Sequence, residues 1–204
     1  MEAPEPWQRP EAWPLPIVTE RLVLRAPTHE DAPAIYSAVE ANRQNLSKWM
    51  PWARSENFSV GQAHYTIERF IRDLNAHPPA NMPIFICDRT TGAYQGGTGL
   101  HDFHADTQQA ETGYWITQDR RGQGVCTEAV VALTRVALRP QSQGGLGLRR
   151  IEIRCSADNV ASARVAHKAG YQLEGRLRAH RWIDGLGWSD TLIYATTADT
   201  WTTP

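Results

Sequence analysis

A short loop with two glycines separates a strand-like segment from a helix-like segment in the middle of the chain. Residues 111–116 predict a strand, residues 117–124 contain Gly122 and Gly124, and the apolar stripe of residues 125–138 predicts a helix. Because glycine adds no side chain where the first helical amides lack partners, such a loop can hold a phosphate. Two glycines before a helix are also common in ordinary turns. The loop matches neither the GxxxxGK(S/T) pattern of nucleoside-triphosphate binders nor the GxGxxG pattern of dinucleotide binders.

The segments nearest the N-terminus predict a strand and two helices. Residues 21–25 alternate as a half-buried strand, and Thr28 with Asp31 resembles a capping box that opens a helix through about Asn42. An aromatic, proline-broken connector at residues 45–52 then leads to a second amphipathic helix. The apolar residues of that helix at helical spacing are Ile67, Phe70, Ile71 and Leu74.

A change of hydrophobic period beyond the second helix predicts a sheet. Turns near residues 90–92 and 104–108 divide three antiparallel strands that form a meander. After the glycine loop and its helix, residues 150–155 alternate as another strand, and Asn159 can cap a helix that ends at Gly170. The last two strands are expected at residues 171–177 and 188–194.

These elements predict a single mixed α/β domain, with a twisted, mostly antiparallel sheet and helices on both faces. The 204 residues (22.9 kDa) are enough for one core. Five prolines in the first 16 residues predict an extended arm over residues 1–18, followed by the domain at residues 19–204. No basic leader and no long apolar run is present, so we expect neither secretion nor a membrane span.

Charge and cysteine content narrow the partners and the compartment. Lys and Arg number 21 against 22 Asp and Glu, which gives a net charge of −1 and lacks the basic footprint of a nucleic-acid binder. Cys87, Cys126 and Cys155 are odd in number and far apart. Such spacing is typical of reduced thiols in a cytoplasmic protein.

The glycine loop resembles the cofactor loop of a known family. Its sequence, Arg121-Gly122-Gln123-Gly124-Val125-Cys126, fits the pattern (R/Q)-x-x-G-x-(G/A) except at Cys126. Four further segments, at residues 19–25, 110–116, 155–162 and 168–175, occur in the order found in the GNAT superfamily of acetyl-CoA-dependent N-acetyltransferases. The resemblance runs from about residue 19 to about 195 and is to the RimJ/RimL branch, which includes acetyltransferases of ribosomal-protein N-termini.

The resemblance implies a binding site for acetyl-CoA that is made mostly of main chain. In this family the strand before the loop separates from its neighbour, so its backbone can bond the pantetheine arm while the loop amides hold the pyrophosphate. Asn159 and Ser162 would face the pantetheine and the thioester, although Asn159 is also a plausible simple N-cap. The expected cofactor-binding residues are Trp115, Ile116, Thr117, Arg121, Gly122, Gln123, Gly124, Val125, Cys126, Asn159 and Ser162.

Direct acyl transfer needs a base for the amine and a proton for the leaving thiolate. Glu111 shares a strand face with Gly113 and Trp115, which makes it the candidate base; a structural carboxylate paired with an arginine is the alternative. Many relatives carry a thiolate-protonating tyrosine on the last helix, where this chain has Ala166. Ser162 is the nearest replacement. Cys155 is expected to approach the thioester without forming a covalent intermediate, since no histidine partner accompanies it.

The acceptor is the least constrained part of the sequence. Trp49 and Trp52 suit a substrate wall about as well as a core, and Glu111 would face the same cleft. His101 and His104 lack the further ligands of a zinc site, so no metal is expected. We expect a protein N-terminal amine as acceptor. A small-molecule amine such as an antibiotic or polyamine, a non-catalytic acyl-CoA sensor, and a homodimer all stay open.

Overall fold

The computed structural model describes residues 5–77 and 79–204, which form eight strands and four α-helices. The strands are β1 (Ile17–Val18), β2 (Leu22–Arg25), β3 (Asn81–Asp88), β4 (Tyr94–His104), β5 (Gln109–Ile116), β6 (Arg150–Ser156), β7 (Gln172–Ile183) and β8 (Gly187–Thr197). The helices are α1 (Ala32–Trp49), α2 (Val60–Asn75), α3 (Val125–Leu138) and α4 (Val160–Lys168). No helix in these ranges is long and apolar enough to cross a membrane.

All eight strands belong to one sheet, in the order β1-β2-β3-β4-β5-β6-β8-β7. Neighbouring strands run antiparallel except β5 and β6, which are parallel. The predicted meander corresponds to β3, β4 and β5, and it carries the register that places His101 opposite Glu111. The predicted mixed, mostly antiparallel sheet is therefore confirmed.

Helices cover both faces of the sheet, as the sequence predicts. On one face α3 contributes Leu133 to a buried core that includes Ile151 of β6. On the other face α1 and α2 contribute Val39 and Ile67 to a second buried cluster that includes Phe85 of β3. Because successive side chains of a strand point to opposite faces, Phe85 lies in the second cluster while its chain neighbours lie in the first.

The chain before α1 is tied to the domain by hydrogen bonds. The buried indole of Trp7 donates to the carbonyl of Leu146 at 2.7 Å. The backbone amide and the hydroxyl of Thr28 donate to the Asp31 carboxylate at 2.7 and 3.0 Å, so the predicted capping box is present. Residues 1–4 of the expected arm lie outside the described residues.

The first helix is longer than the sequence analysis predicts. It continues past Asn42 to Trp49, and Pro51 prevents it from going further. Polar residues just after Asn42 hide the apolar stripe, whose next member, Leu46, is buried. Placing both tryptophans in the connector is therefore wrong for Trp49, which ends α1, and right for Trp52, which lies in a 3₁₀ turn.

The C-terminal hairpin also extends beyond its predicted limits. Strands β7 and β8 run well past the expected residues 171–177 and 188–194. Register shifts between Leu177 and Arg181 break the two-residue period that identifies a strand in a sequence. The extension brings Arg181 and Trp182 next to the residues of β6 that line the candidate site.

Candidate functional site

Strands β5 and β6 separate just before the glycine loop. Their parallel pairing covers only residues 109–111 of β5 and 150–152 of β6. Strand β5 stays paired with β4 as far as Ile116, but beyond residue 111 its other edge has no strand partner among the described residues. Backbone polar groups on this open edge are free to bind a ligand. This is the strand separation that the family resemblance implies.

Three of the expected cofactor-binding residues lie at the end of the open edge, but their backbone amides are not all free to bind a ligand. Trp115 and Ile116 belong to the part of β5 that has left β6. The amide of Thr117, in contrast, donates to the carbonyl of Gln95 at 2.8 Å. The next amide, that of Gln118, donates to the side chain of the buried Asn42, so the start of the loop is fixed to α1.

The glycine loop passes through backbone conformations that favour glycine. The φ angles are +73° at Gly122 and +78° at Gly124. The amides of Gly122, Gly124 and Val125 have no hydrogen-bond acceptor within residues 5–77 and 79–204. They precede or begin α3, whose N-terminal dipole favours negative charge. Arg121 and Gln123 are exposed on the same loop, which therefore presents a surface suited to phosphate.

Cys126 stands where the family usually has glycine or alanine, and the structure shows how it fits. It lies in the first turn of α3 and packs against the main core. Burial raises the pKa of the Cys126 thiol to about 12, so the side chain is neutral. The cysteine therefore fills core space beneath the helix and leaves the loop's outer surface clear.

Arg21 holds the glycine loop against α3, a role that sequence analysis missed. Its Nη1 donates to the carbonyl of Gln123 at 2.9 Å, and its Nε donates to the Glu128 carboxylate at 2.6 Å. The hydroxyl of Thr19 donates to the same carboxylate at 2.6 Å. Burial alone would raise the pKa of Glu128, but these hydrogen bonds lower it. The signal was the segment 19–25, which the sequence analysis used only for the family resemblance.

A cavity of about 400 Å³ opens where β5 and β6 separate, and we call it the gap cavity. Tyr114, Cys155, Asn159 and Ser162 line it. The side chain of Asn159 accepts the amide of Ser162 at 3.2 Å, so the predicted cap of α4 is present. The hydroxyl of Ser162 donates to the phenolic oxygen of Tyr114 at 3.2 Å, and Tyr114 donates to the carbonyl of Ser162 at 2.9 Å.

Tyr114 is a second candidate that sequence analysis missed. It points to the opposite face of β5 from Glu111, so the alternation that identifies Glu111 does not include it. Burial raises the pKa of Tyr114, which keeps its hydroxyl protonated and able to donate. Ala166, at the position where many relatives have tyrosine, is fully buried in the core and does not line the gap cavity.

The environment of Cys155 keeps its thiol neutral. Burial raises the pKa of Cys155, and the nearby Ser162 hydroxyl and the charge of Arg181 only partly offset this. His180 lines the same cavity, but its Nδ1 lies 3.0 Å from the hydroxyl of Thr191. A neutral thiol is a poor nucleophile, so the arrangement gives no support to an acyl-cysteine.

A larger cavity of about 640 Å³ lies between the sheet and the first two helices, and we call it the helix cavity. It is lined by Trp49, Trp52 and Glu111, the three residues expected to contact the acceptor. The rings of Trp52 and Trp115 lie 6.2 Å apart at its wall. Both cavities share lining residues, among them Gly113 and Tyr114, so they meet at the open edge of β5. The glycine loop lies outside both.

Glu111 is half-buried at this junction. Burial raises the pKa of the Glu111 carboxyl, and the nearby His101 and Arg154 partly offset the rise. The Arg154 guanidinium lies 3.4 Å from the carboxylate, so the arginine pairing considered in the sequence analysis is also present. Possible ligand atoms of His101, Asp102 and Glu111 lie within 4.8 Å of one another, without His104. The expected absence of a metal stays a prediction.

Comparisons with known proteins agree with this geometry. The family model described as "Acetyltransferase (GNAT) domain" matches residues 21–172. The chain belongs to the GNAT acetyltransferase family. The ribosomal-protein-serine acetyltransferase of Escherichia coli (strain K12) is 35% identical over 89% of this chain and 96% of its own. This kinship makes the chain an N-acetyltransferase, as predicted from the sequence.

Solved structures show the same fold. RimL, a ribosomal L7/L12 α-N-protein acetyltransferase in complex with coenzyme A, has a TM-score of 0.77 at 24% identity, covering 88% of this chain and 96% of its own. The microcin C7 self-immunity acetyltransferase MccE, in complex with acetyl-CoA and AMP, has a TM-score of 0.75 at 23% identity, with 88% and 93% covered. At these identities the likeness concerns the fold alone.

Proposed function

We propose that the protein transfers the acetyl group of acetyl-CoA to the N-terminal α-amino group of a protein, by direct attack of the amine on the thioester. The observation that carries this proposal is the meeting of the two cavities at Gly113, with Glu111 on one side and the hydrogen-bonded pair of Tyr114 and Ser162 on the other. The kinship with a ribosomal-protein-serine acetyltransferase supports a ribosomal protein as the acceptor.

The residues present fit acetyl-CoA. Free amides at Gly122, Gly124 and Val125 would bind the pyrophosphate, and the open edge of β5 at Trp115 and Ile116 would bind the pantetheine. Acetyl-CoA supplies the activated acetyl thioester. Thr117 contributes less to binding than the family resemblance implies, because its amide is already bonded within the protein.

Glu111 would remove the proton from the attacking amine, directly or through water. Its raised pKa brings the carboxylate closer to the pKa of an α-amino group, about 7.7–8.0 in model peptides, which improves a general base. A lysine side chain, with a pKa of about 10.4, would need a much stronger base at neutral pH. This difference favours an N-terminal amine over an alkylamine.

The pair of Tyr114 and Ser162 would protonate the sulfur of the leaving thiolate. Both residues line the gap cavity beside Cys155, and Ser162 donates to Tyr114. Tyr114 would give its proton to the sulfur, and the hydrogen bond from Ser162 would stabilise the phenolate until it takes up a proton from solvent. Proton donation to the leaving thiolate is thereby possible without a tyrosine at position 166. Free amides of β5 at the open edge would stabilise the oxyanion that forms on the acetyl group.

A small-molecule amine is the second candidate acceptor. The helix cavity, at about 640 Å³, is large enough for a drug-sized molecule and is walled by Trp49 and Trp52. The fold is shared with MccE, whose structure contains AMP as well as acetyl-CoA. A non-catalytic sensor is less well supported, because side chains that could act as acid and base line the two cavities. Cytoplasmic residence is part of the proposal and is supported by the three unpaired cysteines.

A panel assay tests the proposal. Release of free thiol from acetyl-CoA is followed with peptides bearing a free N-terminus, the same peptides with a blocked N-terminus and one internal lysine, polyamines and aminoglycosides. Transfer to the free N-termini, located by mass spectrometry, is the expected result. Turnover with polyamines or aminoglycosides alone would favour the small-molecule function. Tight coenzyme A binding with no turnover on any amine would favour the sensor.

A further inference from the structure

The gap cavity has an unbalanced charge. Its lining includes four side chains that are cationic at neutral pH and, among the described residues, no carboxylate. Those four side chains are Lys48, Arg54, Arg154 and Arg181. A cavity with this lining attracts anions and repels cations.

Two of the four charges are neutralised within the protein. Arg54 forms an ion pair with Asp184 at 2.7 Å. Arg154 pairs with Glu152 at 2.9 Å and also approaches Glu111. These two arginines therefore leave little charge for a ligand.

The other two charges lack such partners. Arg181 is half-buried, and no carboxylate within residues 5–77 and 79–204 forms an ion pair or hydrogen bond with it. The ammonium of Lys48 is exposed and lies 4.8 Å from the ring centre of Trp49. A guanidinium that is partly removed from water and unpaired is strongly favoured to bind a carboxylate, which it can hold by two parallel hydrogen bonds.

The position of Arg181 shows which reactant this charge can meet. Arg181 lines both cavities, near the point where they join. In the gap cavity Arg181 lies together with Cys155 and Ser162, the residues that the proposed function sets beside the thioester. The phosphate-binding loop, in contrast, lies outside this cavity. The phosphates of acetyl-CoA would therefore bind outside this cavity. The acceptor is the reactant that Arg181 can contact.

We propose that Arg181, assisted by Lys48, binds a carboxylate that the acceptor carries close to its reactive amine. The inference rests on the proposed acetyl transfer and narrows its acceptor class. Two sources supply this chemistry: an acidic side chain at the second or third position of an N-terminal segment, or the α-carboxylate of a free amino acid. Polyamines and aminoglycosides carry only positive charge and are repelled.

The test compares acceptors that differ only in charge. Initial rates are measured with peptides that begin Ser-Asp, Ser-Asn and Ser-Lys, and with free serine against serinamide. We expect kcat/KM for the Ser-Asp peptide to exceed that for Ser-Asn by roughly tenfold to a hundredfold, with Ser-Lys poorest. Preference for serine over serinamide would instead assign the carboxylate to a free amino acid. Equal rates across both sets would overturn the proposal.

Variants of Arg181 test whether this side chain causes the preference for the Ser-Asp peptide over the Ser-Asn peptide. R181Q is expected to remove the difference between Ser-Asp and Ser-Asn, R181K to restore part of it, and R181E to favour Ser-Lys. R178Q is the matched control, because Arg178 is an exposed arginine on the same strand that lines neither cavity. A preference for Ser-Asp that survives R181Q would contradict the assignment.

Binding measurements separate this proposal from the proposed function. Calorimetric titration of the Ser-Asp and Ser-Asn peptides into the protein with coenzyme A measures charge preference without any turnover. Tighter binding of Ser-Asp that R181Q abolishes supports the anion site even if no peptide is acetylated, in which case only the peptide acceptor fails. Equal dissociation constants would overturn the anion site even if both peptides are acetylated.

Discussion

The hydroxyl of Ser162 donates a hydrogen bond to the phenolic oxygen of Tyr114 at 3.2 Å, and Tyr114 donates back to the carbonyl of Ser162 at 2.9 Å. The two side chains come from the first turn of α4 and from the open part of β5, so they join the two elements that border the gap cavity. This contact gives a chain with Ala166 at the usual tyrosine position a pair of protonated hydroxyls in the cavity that Cys155 also lines.

Removing either hydroxyl should slow the chemical step. We expect Ser162→Ala and Tyr114→Phe each to lower kcat by about 10²-fold or more, the range for general acids, with little change in coenzyme A affinity. The double variant should be little worse than the worse single variant, because the hydroxyls act as one unit. Single-turnover kinetics measure this.

Tyr171→Phe is the matched control for loss of a buried tyrosine hydroxyl. The phenolic oxygen of Tyr171 lies 2.7 Å from the hydroxyl oxygen of Thr134 in the core, and Tyr171 lines neither cavity. Its loss should lower the free energy of unfolding by about 1 kcal/mol and leave kcat unchanged. If Tyr114→Phe behaves in the same way, Tyr114 is only structural.

Cys155→Ala should retain most of the turnover. The raised pKa of Cys155 keeps its thiol neutral, so direct transfer does not depend on it as a nucleophile. Mass spectrometry after mixing with acetyl-CoA alone should find no acetylated protein. Complete inactivity of a folded variant that still binds coenzyme A would point to a covalent intermediate instead.

Gly124→Val should weaken acetyl-CoA binding. Gly124 has a φ of +78°, and a Cβ there would lie 3.5 Å from Nη2 of Arg21, so a branched side chain would strain the turn that orients the loop amides and press against Arg21. Loss of two bonds from amides to phosphate costs about 3 kcal/mol, which is roughly a hundredfold in affinity.

Gly92→Val is the control that separates the loss of acetyl-CoA affinity from the general cost of backbone strain. Gly92 has a φ of +72° in the turn between β3 and β4, and a Cβ there would meet no atom within 4 Å. It should be destabilised to a similar degree while the calorimetric dissociation constant for acetyl-CoA stays unchanged. An unchanged constant for Gly124→Val as well would exclude this loop as the diphosphate site.

Arg21→Gln should loosen the same loop without touching the ligand directly. It removes the bond to the Gln123 carbonyl and the ion pair with Glu128. Because Arg21 is about half exposed, we expect a loss of only about 1 kcal/mol, or roughly fivefold in acetyl-CoA affinity. Glu128→Gln should give a similar effect and the double variant no more. Additive losses would show that the two residues act independently.

The sequence predicted those structural features of the candidate site that follow from local pattern. Alternation along β5 identified the face of Glu111, and the cap at Asn159 identified the start of α4 with Ser162 in its first turn. Tyr114 was missed because it points to the other face of the same strand and reaches the site only where β6 leaves β5. That separation is a tertiary feature with no local signal.

Contacts between segments that are far apart in the chain could not be predicted from local sequence pattern either. Arg21 reaches the loop across a separation of more than one hundred residues. Arg181 lies on a stretch of β7 where register shifts hide the strand period, so even its element was not predicted. The end of α1 was placed too early because polar residues interrupt its apolar stripe, and Trp49 was assigned to the connector as a result.

Glu111→Gln should preserve both the fold and acetyl-CoA binding. The pKa of Glu111 is raised in the folded protein, so its charged form is disfavoured there and its charge contributes no stability at neutral pH. A neutral glutamine should therefore leave the free energy of unfolding at pH 7 unchanged or slightly higher. Equilibrium unfolding in urea checks this before any kinetic comparison.

The dependence of kcat/KM on pH, measured for the parent and for Glu111→Gln with the Ser-Asp peptide, tests the site most directly. In the parent, activity should rise as Glu111 loses its proton, at a pH above the ordinary glutamate value because burial raises its pKa. The variant should be slow at neutral pH and recover as the α-amine deprotonates unaided, near pH 8. A variant that matches the parent in both rate and pH profile would contradict the assignment of Glu111 as the base.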